Sequence, residues 1–233
     1  MTAKLELDFD YDALEEAIYT GARQAFENLQ RDFQHETFYG FALMSNDHYY
    51  DVTITANSEE GLARRVDDNR KYDQQFRDAD DELCRAYLRP IVEEYYFFRE
   101  WKLMQNYAPL LASANAMMRD HTERSTDLVE VSDAYSSVPY EDTDAEWERL
   151  IEPFEREIRT RFINALRRLD QIQLFEMTNS RDNVTLGIHV HDSNFSPDGV
   201  LADTHKLNPV IVHRKFMADY ERHLEAERIL RGN

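Results

Sequence analysis

The apolar positions in the first quarter of the chain predict a helix followed by a β-hairpin. From Asp10 onward, apolar residues recur every three or four positions, which places them on one face of a helix over residues 11–34 with Asp10 as its cap. Two β-rich runs, 38–44 and 50–54, then flank a short polar turn. The first run is apolar throughout, so we expect it to be the central strand of its sheet.

The middle of the chain has a helical pattern with interruptions. Ser58 is predicted to cap a second helix, because two glutamates follow it in the first turn. Residues 79–121 continue the helical pattern, and Pro90 and Pro109 each predict a kink or a new helix start within it. Residues 122–143 lack a sustained period and are predicted to form a long loop or an ordered excursion.

The last third of the chain begins with a long amphipathic helix. Residues 143–146 (Thr-Asp-Ala-Glu) match a capping box at its start. Two strand-like runs, 171–177 and 184–190, follow this helix. Residues 196–199 predict a turn, and residues 208–209 (Asn-Pro) predict the cap and first residue of a C-terminal helix.

Together these elements predict an α+β fold in which residues 1–233 form a single domain. The strand-like runs predict a small antiparallel sheet of about four strands, packed against several long helices. Glycine and proline together account for only 12 of the 233 residues, which favours long helices over a sandwich or barrel with many turns. The sequence shows no internal repeat and no low-complexity linker.

The chain is strongly acidic, with a formal net charge of −19 at neutral pH. This charge argues against nucleic-acid binding, because affinity for phosphate backbones depends on lysine and arginine, and it favours a basic protein partner. Residues 120–155 contain twelve acids and two bases, and a second acidic group occupies residues 78–82. The predicted partner-binding residues are Asp78, Asp80, Asp81, Glu82, Glu141, Asp142, Asp144 and Glu146.

The same acidity has two alternative causes that the sequence leaves open. Acids are favoured in solvated loops and in the first turn of helices whether or not a partner binds there. Only 5 of the 27 basic residues are lysine, which is also consistent with a saline habitat. In that case the protein would be a structural or regulatory subunit whose acidity has no specific target.

Cysteine content and hydropathy predict a cytoplasmic protein. Cys84 is the only cysteine, which excludes an intramolecular disulfide and a zinc site built from four cysteines. The N-terminal residues lack the apolar core of a signal peptide. No stretch reaches the roughly 18 consecutive apolar residues of a membrane span, so we expect no membrane partner.

The string His189-Val190-His191-Asp192 is the strongest candidate for chemistry. Residues two apart on a strand face the same side, so His189 and His191 could bind a metal together with Asp192, as in a metal-dependent hydrolase or a nucleotide-processing enzyme. Polar side chains at an exposed strand end would give the same string. Only 41 residues follow it, too few for a barrel-type hydrolase framework, and we assign no metal or other cofactor.

The sequence carries no recognised catalytic motif. It contains no G-x-S-x-G elbow, no Walker loop, no G-x-G-x-x-G and no H-E-x-x-H. Cys84 lies on an apparent helix without a histidine at an informative spacing. No catalytic residue is therefore assigned, and the sequence favours a protein that is not an enzyme.

Segments near both ends of the chain resemble the bacterial domain of unknown function 4303 family. Residues 38–43 (Phe-Tyr-Gly-Phe-Ala-Leu) and 56–62 (Ala-Asn-Ser-Glu-Glu-Gly-Leu) are similar to its N-terminal strand and its strand-to-helix junction. Residues 184–192 and 207–209 (Leu-Asn-Pro) are similar to its late strand and the helix start that follows. The resemblance implies an α+β fold in which residues 79–145 form a family-atypical, largely helical and acidic insertion.

The family is similar to small acidic α+β proteins that are encoded beside bacterial toxins. That similarity implies an immunity role by analogy and supplies no catalytic residues. The leading hypothesis is therefore a non-enzymatic cytosolic binding module, an immunity-type inhibitor that sequesters a basic toxin or another basic protein through its acids. The identity of the partner and the oligomeric state are left open.

Overall fold

The computed structural model describes residues 5–46, 48–89, 106–177, 179–191 and 197–232, and every structural statement below refers to these residues. They contain three β-strands, nine α-helices and several short 3₁₀ helices. The strands are β1 (Phe38–Asn46), β2 (Thr53–Ser58) and β3 (Thr185–His191). The α-helices are α1 (Tyr11–Asp32), α2 (Glu59–Tyr72), α3 (Gln74–Asp78), α4 (Asp81–Leu88), α5 (Ala112–Glu130), α6 (Asp133–Ser136), α7 (Thr143–Gln171), α8 (Pro197–Leu207) and α9 (Val210–Leu230).

The sheet has the order β2-β1-β3, so the prediction that the first apolar run is the central strand is confirmed. β1 pairs with β2 in antiparallel register, with Phe41 opposite Ala56. β1 pairs with β3 in parallel register, with Phe41 opposite Leu186. The prediction of about four antiparallel strands is therefore wrong, because the described sheet has three strands and is mixed. Parallel pairing requires a long crossover, and here helices α2 to α7 lie between β2 and β3 in the chain.

The missing fourth strand is the run 171–177, which does not pair with the sheet. Gln171 ends α7, Gln173 adopts a left-handed backbone with φ of 58°, and Leu174–Glu176 form a 3₁₀ helix. Leu174 and Phe175 are both buried in this compact turn. Ile172 and Met177 are exposed, so only these two neighbouring residues of the apolar run are buried. Hydrophobicity alone does not distinguish such a turn from a buried strand.

The main core lies where α1, α7 and the turn after α7 cover the sheet. Phe26 of α1, Phe41 of β1 and Phe175 are fully buried, with ring centroids 5.0–5.4 Å apart. Each such ring contributes roughly 1.5–3 kcal/mol through burial alone. Glu15 of α1 adds polar contacts to α7, accepting a hydrogen bond from Asn164 at 2.9 Å.

The predicted start of α1 and α2 is confirmed. Asp10 caps α1 by accepting a hydrogen bond from the backbone N–H of Ala13 at 2.9 Å. Ser58 caps α2 by accepting one from Gly61, also at 2.9 Å. These short polar side chains satisfy backbone donors that have no partner within the helix.

Three predictions about where and how the later helices begin are wrong in detail. The capping box at 143–146 does not form, because the hydroxyl of Thr143 donates instead to the carbonyl oxygen of Tyr140. The predicted turn at 196–199 is also wrong for its described part, since Pro197 begins α8. Asn208 does not cap the last helix, whose N-cap is Pro209.

Asn208 instead ties the junction of α8 and α9 to β3. Its side-chain oxygen accepts a hydrogen bond from the backbone N–H of Leu186, and its side-chain nitrogen donates to the carbonyl oxygen of the same residue, both at 2.8 Å. These two hydrogen bonds satisfy the backbone N–H and carbonyl groups of Leu186 in the way that a neighbouring strand would. The sequence Leu-Asn-Pro thus holds the last helices against the sheet.

The sequence predicts a long loop or an ordered excursion for residues 122–143, and the loop alternative is wrong. α5 continues to Glu130, α6 follows at once, and a 3₁₀ helix over Tyr140–Asp142 leads into α7. The buried face of α5 carries Thr122 and Ser125 at positions where an apolar pattern would be expected. Their burial hides the helical period from hydropathy. Pro109 does start a new 3₁₀ helix as predicted, whereas Pro90 lies outside the described residues.

Gly21 provides a test of how closely α1 packs. A Cβ at this position would lie 2.6 Å from the carbonyl oxygen of Leu110 and 2.9 Å from a methyl group of Leu111. Gly21→Ala should therefore lower the free energy of unfolding by about 1–3 kcal/mol in urea titrations, although alanine is the better helix former. Gly187→Ala is the control, because its Cβ would meet Ala42 at an ordinary 3.9 Å. Unchanged or increased stability of Gly21→Ala would contradict the close packing.

Candidate functional site

The first predicted acidic group, residues 78–82, lies at the junction of α3 and α4. Asp80 caps α4 by accepting a hydrogen bond from the backbone N–H of Leu83 at 2.8 Å. The carboxylate of Asp81 lies 2.6 Å from the guanidinium of Arg70. Both acids therefore have local structural partners, as expected for acids at a helix N-terminus.

Basic side chains lie beside Asp81 and Glu82 of this group. Asp81 and Glu82 line an open groove of about 710 Å³ between α4 and α9. Arg89, in the same groove, lies 2.7 Å from Glu59 and 3.2 Å from Asp219. The cationic residues that line this groove are Arg85, Arg89, Lys215 and Arg222. The groove is thus of mixed charge and is not an acidic surface.

The second predicted acidic group lies where α7 begins. Glu141 and Asp142 belong to the 3₁₀ helix before α7, and Asp144 and Glu146 lie in the first turn of α7. Glu146 forms an ion pair with Arg149, three residues further along the helix. The other three acids are exposed to solvent.

The second acidic group is part of a longer segment in which every charged residue is an acid. Residues 130–148, which we call the acidic segment, contain no lysine, arginine or histidine. Their seven acids are Glu130, Asp133, Glu141, Asp142, Asp144, Glu146 and Glu148. Two large apolar side chains in the segment are exposed, Val131 by 76% and Tyr140 by 92%. The segment therefore combines negative charge with accessible apolar surface.

The two acidic groups pack on different parts of the core. The first lies beside a cluster that includes Phe76, Cys84 and Leu88. The acidic segment covers a separate cluster in which Leu150 and Phe154 of α7 are buried. The structure thus assigns the predicted acids to two surfaces, each with its own supporting elements.

A pocket of about 190 Å³ lies beside the acidic segment, between α5, α7 and the connection from β1 to β2. We call it the α5–α7 pocket. Glu130 and Trp147 belong both to this pocket and to the acidic segment. The residues lining the pocket are His48, Tyr50, His121, Thr122, Ser125, Thr126, Glu130, Trp147, Ile151, Phe154, Glu155 and Ile158.

The connection between β1 and β2 brings its residues to the pocket through an unusual backbone. The sequence predicts that β2 begins near residue 50, but the strand begins at Thr53. Tyr49 has a φ of 55° and its ring is buried, which turns the chain so that His48 and Tyr50 line the pocket. The backbone N–H of Val52 donates to the side chain of Asn115 on α5 at 2.6 Å.

His121 forms part of the wall of this pocket and is only 1% exposed. Its Nε2 lies 2.9 Å from the hydroxyl of Tyr11, while its Nδ1 is buried and has no hydrogen-bond partner. The rings of Phe9 and Phe154 meet it edge-on, with centroids 4.9 Å and 6.3 Å away. A buried polar atom without a partner costs about 1–3 kcal/mol, so this nitrogen marks a place where the fold carries a cost.

The environment of His121 keeps it neutral. Burial, with a smaller contribution from the nearby guanidinium of Arg124, lowers its pKa to about 4, and Asp120 opposes this shift. Burial also raises the pKa of the Tyr11 phenol to about 12, so that hydroxyl keeps its proton at physiological pH. The hydrogen bond between these two residues therefore joins two uncharged groups.

The remaining polar groups of the pocket form a network along α5. Thr122 donates its hydroxyl hydrogen towards backbone carbonyl oxygens, that of Met118 at 3.0 Å and that of His48 at 3.3 Å. Ser125 donates to the carbonyl oxygen of Thr122 at 3.1 Å. On the opposite wall, Nδ1 of His48 lies 3.5 Å from a carboxylate oxygen of Glu155. The sequence pattern did not predict the pocket because its residues come from three separated segments.

The predicted metal ligands lie at the end of β3. His189 is 2% exposed and lies opposite Met44 of β1, which places it inside the fold. His191 is the last residue of β3, and Asp192 lies outside the described residues. Within the described part of the chain, no group of three or more histidine, cysteine, aspartate or glutamate residues is arranged to hold a metal ion. A site made of His189, His191 and Asp192 stays a prediction.

Cys84 is the only cysteine of the sequence and so the one candidate for a thiolate nucleophile. Cys84 is fully buried, and burial raises the pKa of its thiol, so the side chain is held as a thiol rather than a nucleophilic thiolate.

Among the helices of the described ranges, none has both the length and the apolar character that crossing a bilayer requires.

The pKa of His121 predicts a pH dependence of stability. The unfolded chain, with an ordinary histidine pKa of 6.5, takes up the proton before the folded chain does. The free energy of unfolding should therefore fall as the pH drops from 6.5 towards 4, by about 2 kcal/mol between pH 7 and pH 5. In urea titrations, His121→Gln should lose this part of the pH dependence. His35→Gln, at an exposed histidine, should retain it, and equal slopes in all three proteins would contradict the assignment.

Comparison with known proteins supplies a family. No curated protein and no solved structure matches the chain significantly. The family model described as Domain of unknown function (DUF4303) matches residues 18–209, from within α1 to the start of the last helix. This range includes the strand, the strand-to-helix junction and the Leu-Asn-Pro sequence on which the resemblance rested. The chain therefore belongs to the domain of unknown function 4303 family.

Proposed function

We propose that this protein is a non-enzymatic binding module that recognises a basic protein partner through the acidic segment, as an immunity-type inhibitor of a basic toxin would. The observation that carries the proposal is the position of Tyr140. Its side chain is 92% exposed within a segment of seven acids and no bases. Tyrosine is enriched among the residues that anchor protein interfaces, and charge of one sign attracts a partner of the opposite sign, so the combination favours an interaction site.

Tyr140 supports the proposal as an anchor for a partner. Tyrosine is enriched among the few interface residues that carry most of the binding energy, because its ring buries a large area with little loss of side-chain freedom. Here the adjacent Pro139 limits the backbone before the ring, and the 3₁₀ helix that follows holds its position. Little ordering would therefore be needed when a partner covers it.

The charge of the segment supports a basic partner in particular. Like charges concentrated on one surface attract an oppositely charged protein and raise its association rate by about 10–10³. Of the seven acids, Glu146 pairs with Arg149, and that ion pair is internal to α7. Glu141, Asp144 and Glu148 are exposed and carry no lysine or arginine neighbour within the segment.

The first acidic group is better accounted for by folding. Asp80 caps α4, Asp81 pairs with Arg70, and basic side chains share the groove beside Glu82. The ion pair of Asp81 and the basic side chains of the groove reduce the net charge that a distant partner would experience, whereas the cap gives Asp80 a role in folding. Residues 78–82 therefore serve as an internal control for the acidic segment.

Matched charge removal tests the proposal. The triple variant Glu141→Gln, Asp144→Asn, Glu148→Gln should slow association with the partner about 10-fold at low salt. The control variant Asp78→Asn, Glu82→Gln, Glu221→Gln, in which Glu221 is an exposed residue of α9, removes the same number of charges elsewhere and should change the rate less than about 2-fold. Tyr140→Ser should instead speed dissociation about 10-fold, because it removes the anchor rather than the charge.

The measurement uses a partner captured from extracts of the source organism and then purified. Its binding kinetics are recorded on a biosensor at about 50 mM and 300 mM salt, and the difference between the two triple variants should shrink at the higher concentration. Equal effects of both triple variants, or association that does not depend on salt, would show that the acidic segment is not the binding surface.

A further inference from the structure

The α5–α7 pocket has a negative electrostatic character. Among the described residues that line it there are two carboxylates, Glu130 and Glu155, and no lysine or arginine. Of the two histidines in the wall, His121 is held neutral by burial, and His48 lies 3.5 Å from a carboxylate oxygen of Glu155, whose charge it offsets only when it is protonated. The pocket also opens beside the acidic segment, whose charge has the same sign. An anionic ligand would be repelled here, and a cationic one attracted.

The apolar part of the wall suits a flat cation. Trp147 and Phe154 line the pocket together with Ile151. Trp147 meets Tyr135 edge-on at 5.8 Å, a contact that helps to position the indole. Indole is the best of the aromatic side chains at attracting a cation to its face, and arginine is the cation that most often makes such a contact.

The dimensions of the pocket limit the size of the ligand. Its volume of about 190 Å³ is below the roughly 300–1,000 Å³ of sites that hold drug-sized molecules or cofactors. A single side chain, inserted from a protein bound to the surface, is the group that suits this volume. Glu130 and Trp147 belong to both the pocket and the acidic segment, so one partner can contact both.

We propose that the α5–α7 pocket receives the guanidinium group of an arginine side chain from the basic partner, with Glu130 and Glu155 as its carboxylate acceptors and Trp147 as the ring beside it. This inference rests on the proposed function and names the anchor that the partner supplies. Arginine fits better than lysine, because its planar group stacks on aromatic rings and is more weakly hydrated than an ammonium.

His121 contributes a neutral, buried ring to the wall of the pocket. Its Nε2 lies 2.9 Å from the Tyr11 hydroxyl, and its Nδ1, which has no hydrogen-bond partner, is closed off from solvent. The groups that accept the hydrogen bonds of a guanidinium are therefore the two carboxylates, and a guanidinium has five donors to offer.

A small-molecule probe tests the pocket without the partner. N-acetyl-arginine N-methylamide is titrated into ¹⁵N-labelled protein, and the indole N–H signal of Trp147 is followed by NMR, assigned with a Trp147→Phe variant. We expect saturable shifts with a dissociation constant on the order of millimolar, as befits one side chain. The citrulline derivative, which has the same shape without the charge, should bind at least about 5-fold more weakly. The lysine derivative should fall between the two.

Variants of the two carboxylates test whether the arginine derivative binds in the α5–α7 pocket. Glu155→Gln and Glu130→Gln should each weaken binding of the arginine derivative about 5-fold. Glu82→Gln, in the groove beside α4, should change it less than about 2-fold. Glu130 is exposed, so its variant preserves the fold even if Glu155→Gln were to destabilise it, and urea titration of each variant checks this.

The outcome separates this inference from the proposed function. Equal binding of the arginine and citrulline derivatives, or no shift of the Trp147 signal at about 50 mM probe, would overturn the arginine pocket. Binding of the purified partner that is slowed by the acidic-segment variant and insensitive to Glu155→Gln would overturn it too, while leaving the proposed function in place. The inference predicts that the acidic-segment variant and Glu155→Gln both weaken binding of the partner. It also predicts that the protein binds the arginine derivative more tightly than the citrulline derivative.

Discussion

The continuous apolar face of α7 is the constraint on which the rest of the structure depends. Over 29 residues this helix buries side chains from Leu150 to Leu169. Its C-terminal half packs against α1 over the sheet, and its N-terminal half packs against α5 and α6 in a separate apolar cluster. Because one rigid element belongs to both clusters, the position of the acidic segment and of the α5–α7 pocket is set by the packing of the main core.

The α5–α7 pocket shows why buried polar residues carry as much weight as apolar ones. α5 presents His121, Thr122 and Ser125 to the interior, and most of their polar atoms are paired with backbone carbonyls or with Tyr11. One nitrogen of His121 is buried without a hydrogen-bond partner, so the polar groups of this face carry a cost in stability as well as lining the pocket.

The charges of this chain have two different roles that a net value of −19 conceals. Some acids stabilise helix starts or form ion pairs, as Asp80 and Asp81 do for α4. Others lie in a segment without any base, beside an exposed tyrosine. Acids of the first kind contribute to folding, and their contribution falls off within one helical turn. Acids of the second kind have no base beside them in the segment, so their summed field is the one best able to attract a basic partner.

The sequence by itself determined the elements whose signals are local. The period of apolar residues predicted α1, the two β-rich runs 38–44 and 50–54 around a polar turn predicted the hairpin, and Asp10 and Ser58 marked helix starts. The acidic segment was also visible in part, because net charge is a property of composition. Each of these signals depends on residues within a few positions of one another.

Only the tertiary structure decided which surfaces meet. It made β3 parallel to β1, and it turned the run 171–177 into a helix end and a 3₁₀ helix that buries only Leu174 and Phe175. It placed the two acidic groups on different clusters of the core. It also assembled the α5–α7 pocket from three distant segments. The physical reason is that a local pattern reports which side of an element is buried, whereas the element that covers it is chosen by long-range packing.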